Sequence, residues 1–117
     1  MKTIWTTQCV ISNEINLYQE DWDHILDGHP EMAGLEYLVK AAVERPIYIQ
    51  EAGNPKTAAY VLPPDSVNPE GVRVIVGFTS EMWISGNKIG DVKTGYPIDS
   101  KSFPNPSLGR IIWQKPK

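Results

Sequence analysis

The spacing of apolar positions changes period part-way along the chain. Residues 3–12 (TIWTTQCVIS) are rich in β-branched side chains and read as a first strand. Residues 19–28 read as a short helix: Glu20 and Asp21 favour its positive N-terminal end, Trp22, Ile25 and Leu26 recur at spacings of three and four, and Gly28 supplies a stop. Pro30 then suits the first turn of a second helix, where its missing N–H removes no bond. Leu35, Leu38, Val39, Ala42 and Val43 give that helix one apolar stripe, and Pro46 forbids its continuation.

Beyond Pro46 the period becomes two. Residues 46–50 (PIYIQ) and 57–62 (TAAYVL) read as strands joined by a turn through Gly53, Asn54 and Pro55. Pro63 and Pro64 end the second strand, and Asn68-Pro69-Glu70-Gly71 makes another turn. Residues 72–79 (VRVIVGFT) form the most strand-like run and the expected centre of a sheet. Residues 83–85 and 89–96 are expected to pair as a hairpin around Gly86-Asn87. Residues 97–109 read as irregular, and Ile111–Gln114 as a final strand. This order predicts an α+β fold, with two N-terminal helices packed on an antiparallel β-sheet.

The chain has 117 residues, enough for one domain with a real core and too few for two. Hydrophobic residues at 41% and charged residues at 21% exclude general disorder. No apolar run approaches the roughly 20 residues of a membrane span, and the polar N-terminus lacks a signal core, so a cytoplasmic location is expected. The single cysteine, Cys9, excludes an internal disulfide and a cysteine-built zinc site, and reads as a small buried residue.

Charge divides the chain unevenly. Residues 1–51 hold three basic and nine acidic side chains, whereas residues 88–117 hold six basic and two acidic. The net charge of −3 disfavours non-specific binding to polyanions, while the basic last third can form a local phosphate-facing surface. Lys93 and Arg110 are its candidate substrate-binding residues.

Both histidines, His24 and His29, fall in the segment Asp23-His24-Ile25-Leu26-Asp27-Gly28-His29-Pro30-Glu31. Histidine both takes and gives a proton near neutral pH, so the pair invites acid–base chemistry. On a continuous helix a spacing of five puts them about 140° apart, poor geometry for one shared ligand. His29, before Pro30, also fits a purely structural role at the start of the second helix. Lys93-Thr94-Gly95-Tyr96, late in a strand, offers a charge, two hydroxyls and close backbone approach to a phosphate; alternating polar residues on a solvated strand face look the same. The Walker phosphate loop and the Gly-x-Ser-x-Gly elbow are both absent. The histidines with Asp27 or Glu31 lack a recognised metal-ligand spacing, and no metal or other cofactor is expected. Of the four tryptophans, Trp5, Trp22, Trp83 and Trp113, core packing accounts for most, and an exposed ring could stack on a base.

Taken in order, Trp22-Asp23-His24-Ile25, Gly28-His29-Pro30-Glu31, a helix ending at Arg45-Pro46, three strands, and the late Lys93-Thr94-Gly95-Tyr96 resemble a known pattern. It is that of the phage- and mobile-element-borne branch of the barnase–EndoU–colicin–RelE (BECR) superfamily, over roughly residues 20–98. The resemblance implies a single BECR-like domain over residues 1–117 that acts as a metal-independent endoribonuclease of toxin or effector type. It implies cleavage by the RNA's own 2′-hydroxyl, with His24 and His29 as acid and base and Thr94 and Tyr96 at the phosphate. It also implies RNA as partner and an inhibitor protein as a second one. A different class of function is compatible with the same residues: a non-catalytic binding module, or an inactive relative, that docks on a protein partner.

Overall fold

The computed structural model describes residues 2–64, 71–98 and 109–116. The chain runs β1 (Thr3–Gln8), β2 (Glu14–Tyr18), α1 (Gln19–Gly28), a 3₁₀ turn (Pro30–Met32), α2 (Glu36–Glu44), β3 (Tyr48–Glu51) and β4 (Thr57–Leu62). It continues through β5 (Gly71–Phe78), a second 3₁₀ turn (Glu81–Ser85), β6 (Ile89–Ile98) and β7 (Ile111–Gln114). The strands form one sheet in the order β1-β2-β6-β5-β4-β3-β7, with β5 at its centre as its apolar run predicts.

The mixed helix-and-sheet class stands, but the expected arrangement is corrected in two respects. The helices do not come first: the hairpin β1–β2 precedes them. The sheet is not wholly antiparallel either, because β2 pairs parallel with β6 through Glu14↔Ile89, Ile15↔Gly90 and Asn16↔Asp91. Residues 14–18 (EINLY) alternate as a strand should, but their second partner lies some seventy residues on, beyond any local signal.

Gly34 interrupts the predicted second helix. Its φ of +80° is a left-handed conformation, and the chain restarts as α2 two residues later. Leu38, Val39, Ala42 and Val43 then lie buried along α2, on the stripe that spacing indicated. The expected hairpin around Gly86-Asn87 is also absent, because Trp83 belongs to a 3₁₀ turn instead. Its indole donates to the Pro55 carbonyl at 2.7 Å, its own carbonyl accepts from Asn13 Nδ2 at 2.7 Å, and its ring stacks on Phe78. The expected turn at residues 68–71 and the irregular stretch 97–109 lie largely outside the described residues.

Both helices pack into one core with the sheet. Ile15, Leu17, Trp22, Ile25, Met32, Val39, Tyr60, Val74 and Trp83 all belong to it. Cys9 is buried there, and Trp5 and Trp113 pack half-buried against it. Among the described residues no helix is long and apolar enough to cross a membrane.

Candidate active site

Register across β5 and β6 sets which side chains share a face. Gly95 lies opposite Val74 and would place a Cβ 3.5 Å from Val39 of α2, so Val74 and Gly95 face the helix. Alternation turns Arg73 and Tyr96, themselves register partners, to the other face. A β-bulge adds a residue next to them: Ile75 pairs with Thr94 and Val76 with Val92, which leaves Lys93 extra. The Lys93 side chain lies across Gly77, with Cε 2.8 Å from where a Cβ there would stand. Gly77 alternates with Arg73 and Ile75, so the bulge puts Lys93 on the same face as Thr94 and Tyr96.

His29 reaches this face from α1, which packs against β6. Trp22 and Ile25, the buried side chains of α1, enter the core on the Val74 side, whereas His29 stands at the helix C-cap with non-helical backbone (φ −139°, ψ 71°) and meets Tyr96. The His29 amide donates to the Ile25 carbonyl at 2.7 Å. The imidazole stacks on the Tyr96 ring at a centroid distance of 5.5 Å and 28° between planes. Its Nδ1 lies 3.2 Å from Glu31 Oε1, leaving Nε2 as the ring nitrogen for a further partner. Arg73, only 5% exposed, donates from Nη1 to the Tyr96 hydroxyl across a long 3.4 Å bond.

His29 and Tyr96 are therefore in contact, Thr94 shares their face half-buried, and exposed Lys93 lies further along it, its side chain against Gly77, four residues or roughly 13 Å along β5 from Arg73. His24 does not join them. It lies about 130° round α1 from the Trp22–Ile25 direction and is exposed. Arg110 is also elsewhere: its Nε donates to Glu51 Oε1 at 2.6 Å beside β3, four strand spacings, roughly 19 Å, from β6. Among the described residues no group of three or more His, Cys, Asp and Glu side chains is placed to hold a metal ion.

Two members of the cluster escape a reading of the sequence for catalytic pairs. Arg73 carried a signal, being the one charge inside the apolar run VRVIVGF. A lone charge there must be held by a partner to be buried in a central strand. Glu31 carried none beyond its place in the His29-Pro30-Glu31 segment, since the contact depends on the 3₁₀ turn. No family model, curated protein or solved structure matches the chain.

Proposed function

We propose that this protein is an endoribonuclease that cleaves RNA through the 2′-hydroxyl, with His29 and Tyr96 as its proton-transfer groups. The observation that supports it is the chain of contacts from His29 to Tyr96 to Arg73, with Thr94 and, further along, Lys93 on the same face of the sheet. The reaction needs a group that takes a proton, a group that gives one, and positive charge where the phosphorane forms.

In this reading the His29 Nε2 takes the 2′-hydroxyl proton, while Glu31 holds the opposite side of the ring. The 2′-oxygen forms its bond to phosphorus as the bond to the 5′-oxygen breaks. The Tyr96 hydroxyl gives its proton to the departing 5′-oxygen, and the phenolate left behind faces the Arg73 guanidinium. Arg73 offsets the charge on the non-bridging oxygens, Thr94 donates to one of them, and Lys93 swings its exposed side chain from Gly77 toward them. The products are a 2′,3′-cyclic phosphate and a 5′-hydroxyl. His24, exposed and turned away, takes no part.

The second reading, a module that docks on a protein partner, draws support from the exposed face of α1. Glu20, Asp23 and Asp27 lie exposed there, and Glu31 stands beside His29; such a face repels a polyanion.

Incubation of the purified protein with total RNA in excess EDTA, followed by end-group analysis, separates the two. Cyclic-phosphate ends are expected from the wild type. His29→Ala slows their formation by about 10²-fold or more, the scale of a lost acid–base group, and His24→Ala leaves the rate within a few-fold. Intact RNA from pH 5 to 9, with folded wild-type protein, would overturn the ribonuclease reading in favour of the docking module.

A further inference from the structure

We propose that the hollow between α2, the end of β4 and the segment after β7 is a binding site for a nucleoside monophosphate. The hollow has a volume of about 430 Å³, within the range of roughly 300–1,000 Å³ typical of small-molecule sites. Its floor is apolar: Leu38 and Ala41 are buried beneath α2, and Leu62 and Pro63 close it from the end of β4. Tyr37 stands at the rim with 56% of its surface exposed.

Among the described residues two cations line this hollow. Arg45 caps α2, with its amide held by the Ala41 carbonyl at 2.8 Å, and Lys115 is held by a bond from its amide to the Ile47 carbonyl at 2.9 Å. Both backbones are fixed, so the side chains start from set positions rather than from a loose tail. A guanidinium fork and an ammonium point charge together suit a phosphate dianion. The one acid among the described residues of the wall, Glu44, accepts a hydrogen bond from the Thr7 hydroxyl of β1.

An exposed phenol over an apolar floor suits a flat heteroaromatic ring, because base–aromatic stacking is tolerant of sequence and independent of edge recognition. Charge and ring together define the ligand class: a planar base joined to a phosphate. Lys115 also borders a second hollow of about 640 Å³ with Ile47, Gln114 and Pro116, which leaves room beside the phosphate for a neighbouring group. The site is separate from the His29 cluster. Leu62 pairs with Val72, a core residue on the α2 side of β5, whereas Arg73 and Tyr96 project from the opposite side.

The test is direct binding, so it does not depend on cleavage. The four ribonucleoside 5′-monophosphates and inorganic phosphate are titrated into isotopically labelled protein, with amide shifts as readout. Saturable binding is expected, with shifts centred on α2 and residues near Lys115. Arg45→Ala and Lys115→Ala each weaken it by about tenfold, the scale of a lost charge-assisted bond. Tyr37→Ala weakens the mononucleotides but leaves phosphate unchanged, and the saturable shifts around α2 persist in His29→Ala. All three altered positions are exposed, and shifts of distant amides report that the variants stay folded. Absence of saturable binding at millimolar concentration would overturn the proposal. So would equal affinity for inorganic phosphate, which marks an anion site without base recognition, or loss of binding in His29→Ala, which places the ligand at the other cluster.

Discussion

Tyr60 sits wholly inside the core, with its hydroxyl donating to Cys9 Sγ at 3.3 Å. Burial, and then Cys9 beside it, push the Tyr60 phenol far above the ordinary tyrosine range. In the unfolded chain the same phenol ionises near pH 10. Above that pH the unfolded state loses a proton that the folded state keeps, so the stability Tyr60 contributes is complete below about pH 10 and declines as the pH rises. Tyr60→Phe removes this dependence while keeping the ring. Its expected cost at neutral pH is about 0.5–1.5 kcal/mol for the lost hydrogen bond. Above pH 10 the gap between wild type and variant should close by about 1.4 kcal/mol per pH unit, read from urea unfolding at successive pH values. Parallel curves would show that Tyr60 does ionise in place. At this scale part of the candidate site was legible: His29, Thr94 and Tyr96 were candidates from their residue types and the resemblance together, and the structure sets His29 against Tyr96. Which histidine meets Tyr96 was not legible, because it depends on how the end of α1 meets β6.

Close approach between elements fixes other positions. Gly90 on β6 faces Phe78 of β5, its register partner, and a Cβ there would stand 2.6 Å from Phe78 Cε1 and 2.7 Å from Val76 Cγ1. The Phe78 ring cannot easily withdraw, since it stacks at 5.2 Å and 5° on Trp83, whose indole is tied to Pro55. Gly90→Ala is therefore expected to destabilise by about 1–3 kcal/mol, the usual range for overpacking. An unchanged urea midpoint would mean that the Phe78–Trp83 pair shifts freely. Elements with a strong internal period were readable: α1 occupies the residues expected, and β4 spans Thr57–Leu62 as its alternation indicates. What stayed hidden was set by contacts across the fold. Gly34 breaks one apolar stripe into a 3₁₀ turn and α2, which lets Met32 enter the core. The bulge at Lys93 is visible only once β5 supplies the opposing register.

For the molecule as a whole, the described basic residues of the last third do not make one basic face. Lys93 lies on β6, Arg110 beside β3 at the far edge, and Lys115 next to α2. The cause is the place of β7, whose pairing with β3 sets it at the opposite edge from the β1–β2 hairpin. Gln50 Nε2 donates to the Gly109 carbonyl at 2.6 Å, and the Glu51 amide to the Arg110 carbonyl at 3.0 Å, which anchors the incoming chain there. Ile111–Gln114 was readable as a strand, but no local feature states its partner. This geometry yields a paired comparison. Lys93→Ala and Arg110→Ala remove the same charge from exposed positions, so their effects on the overall field are alike. They differ in place: Lys93 shares the face of Tyr96, while Arg110 stands four strands off, roughly 19 Å, beyond a Debye length of about 8 Å at physiological salt. Under the ribonuclease reading Lys93→Ala should slow RNA cleavage by about 10²-fold, as for a lost donor to developing charge. Arg110→Ala should leave it within a few-fold and cost at most about 1 kcal/mol of stability, because its partner pair is surface-exposed. Equal losses in the two variants would mean that cleavage responds to net charge alone, and the phosphate would have to be placed away from the His29–Tyr96 cluster.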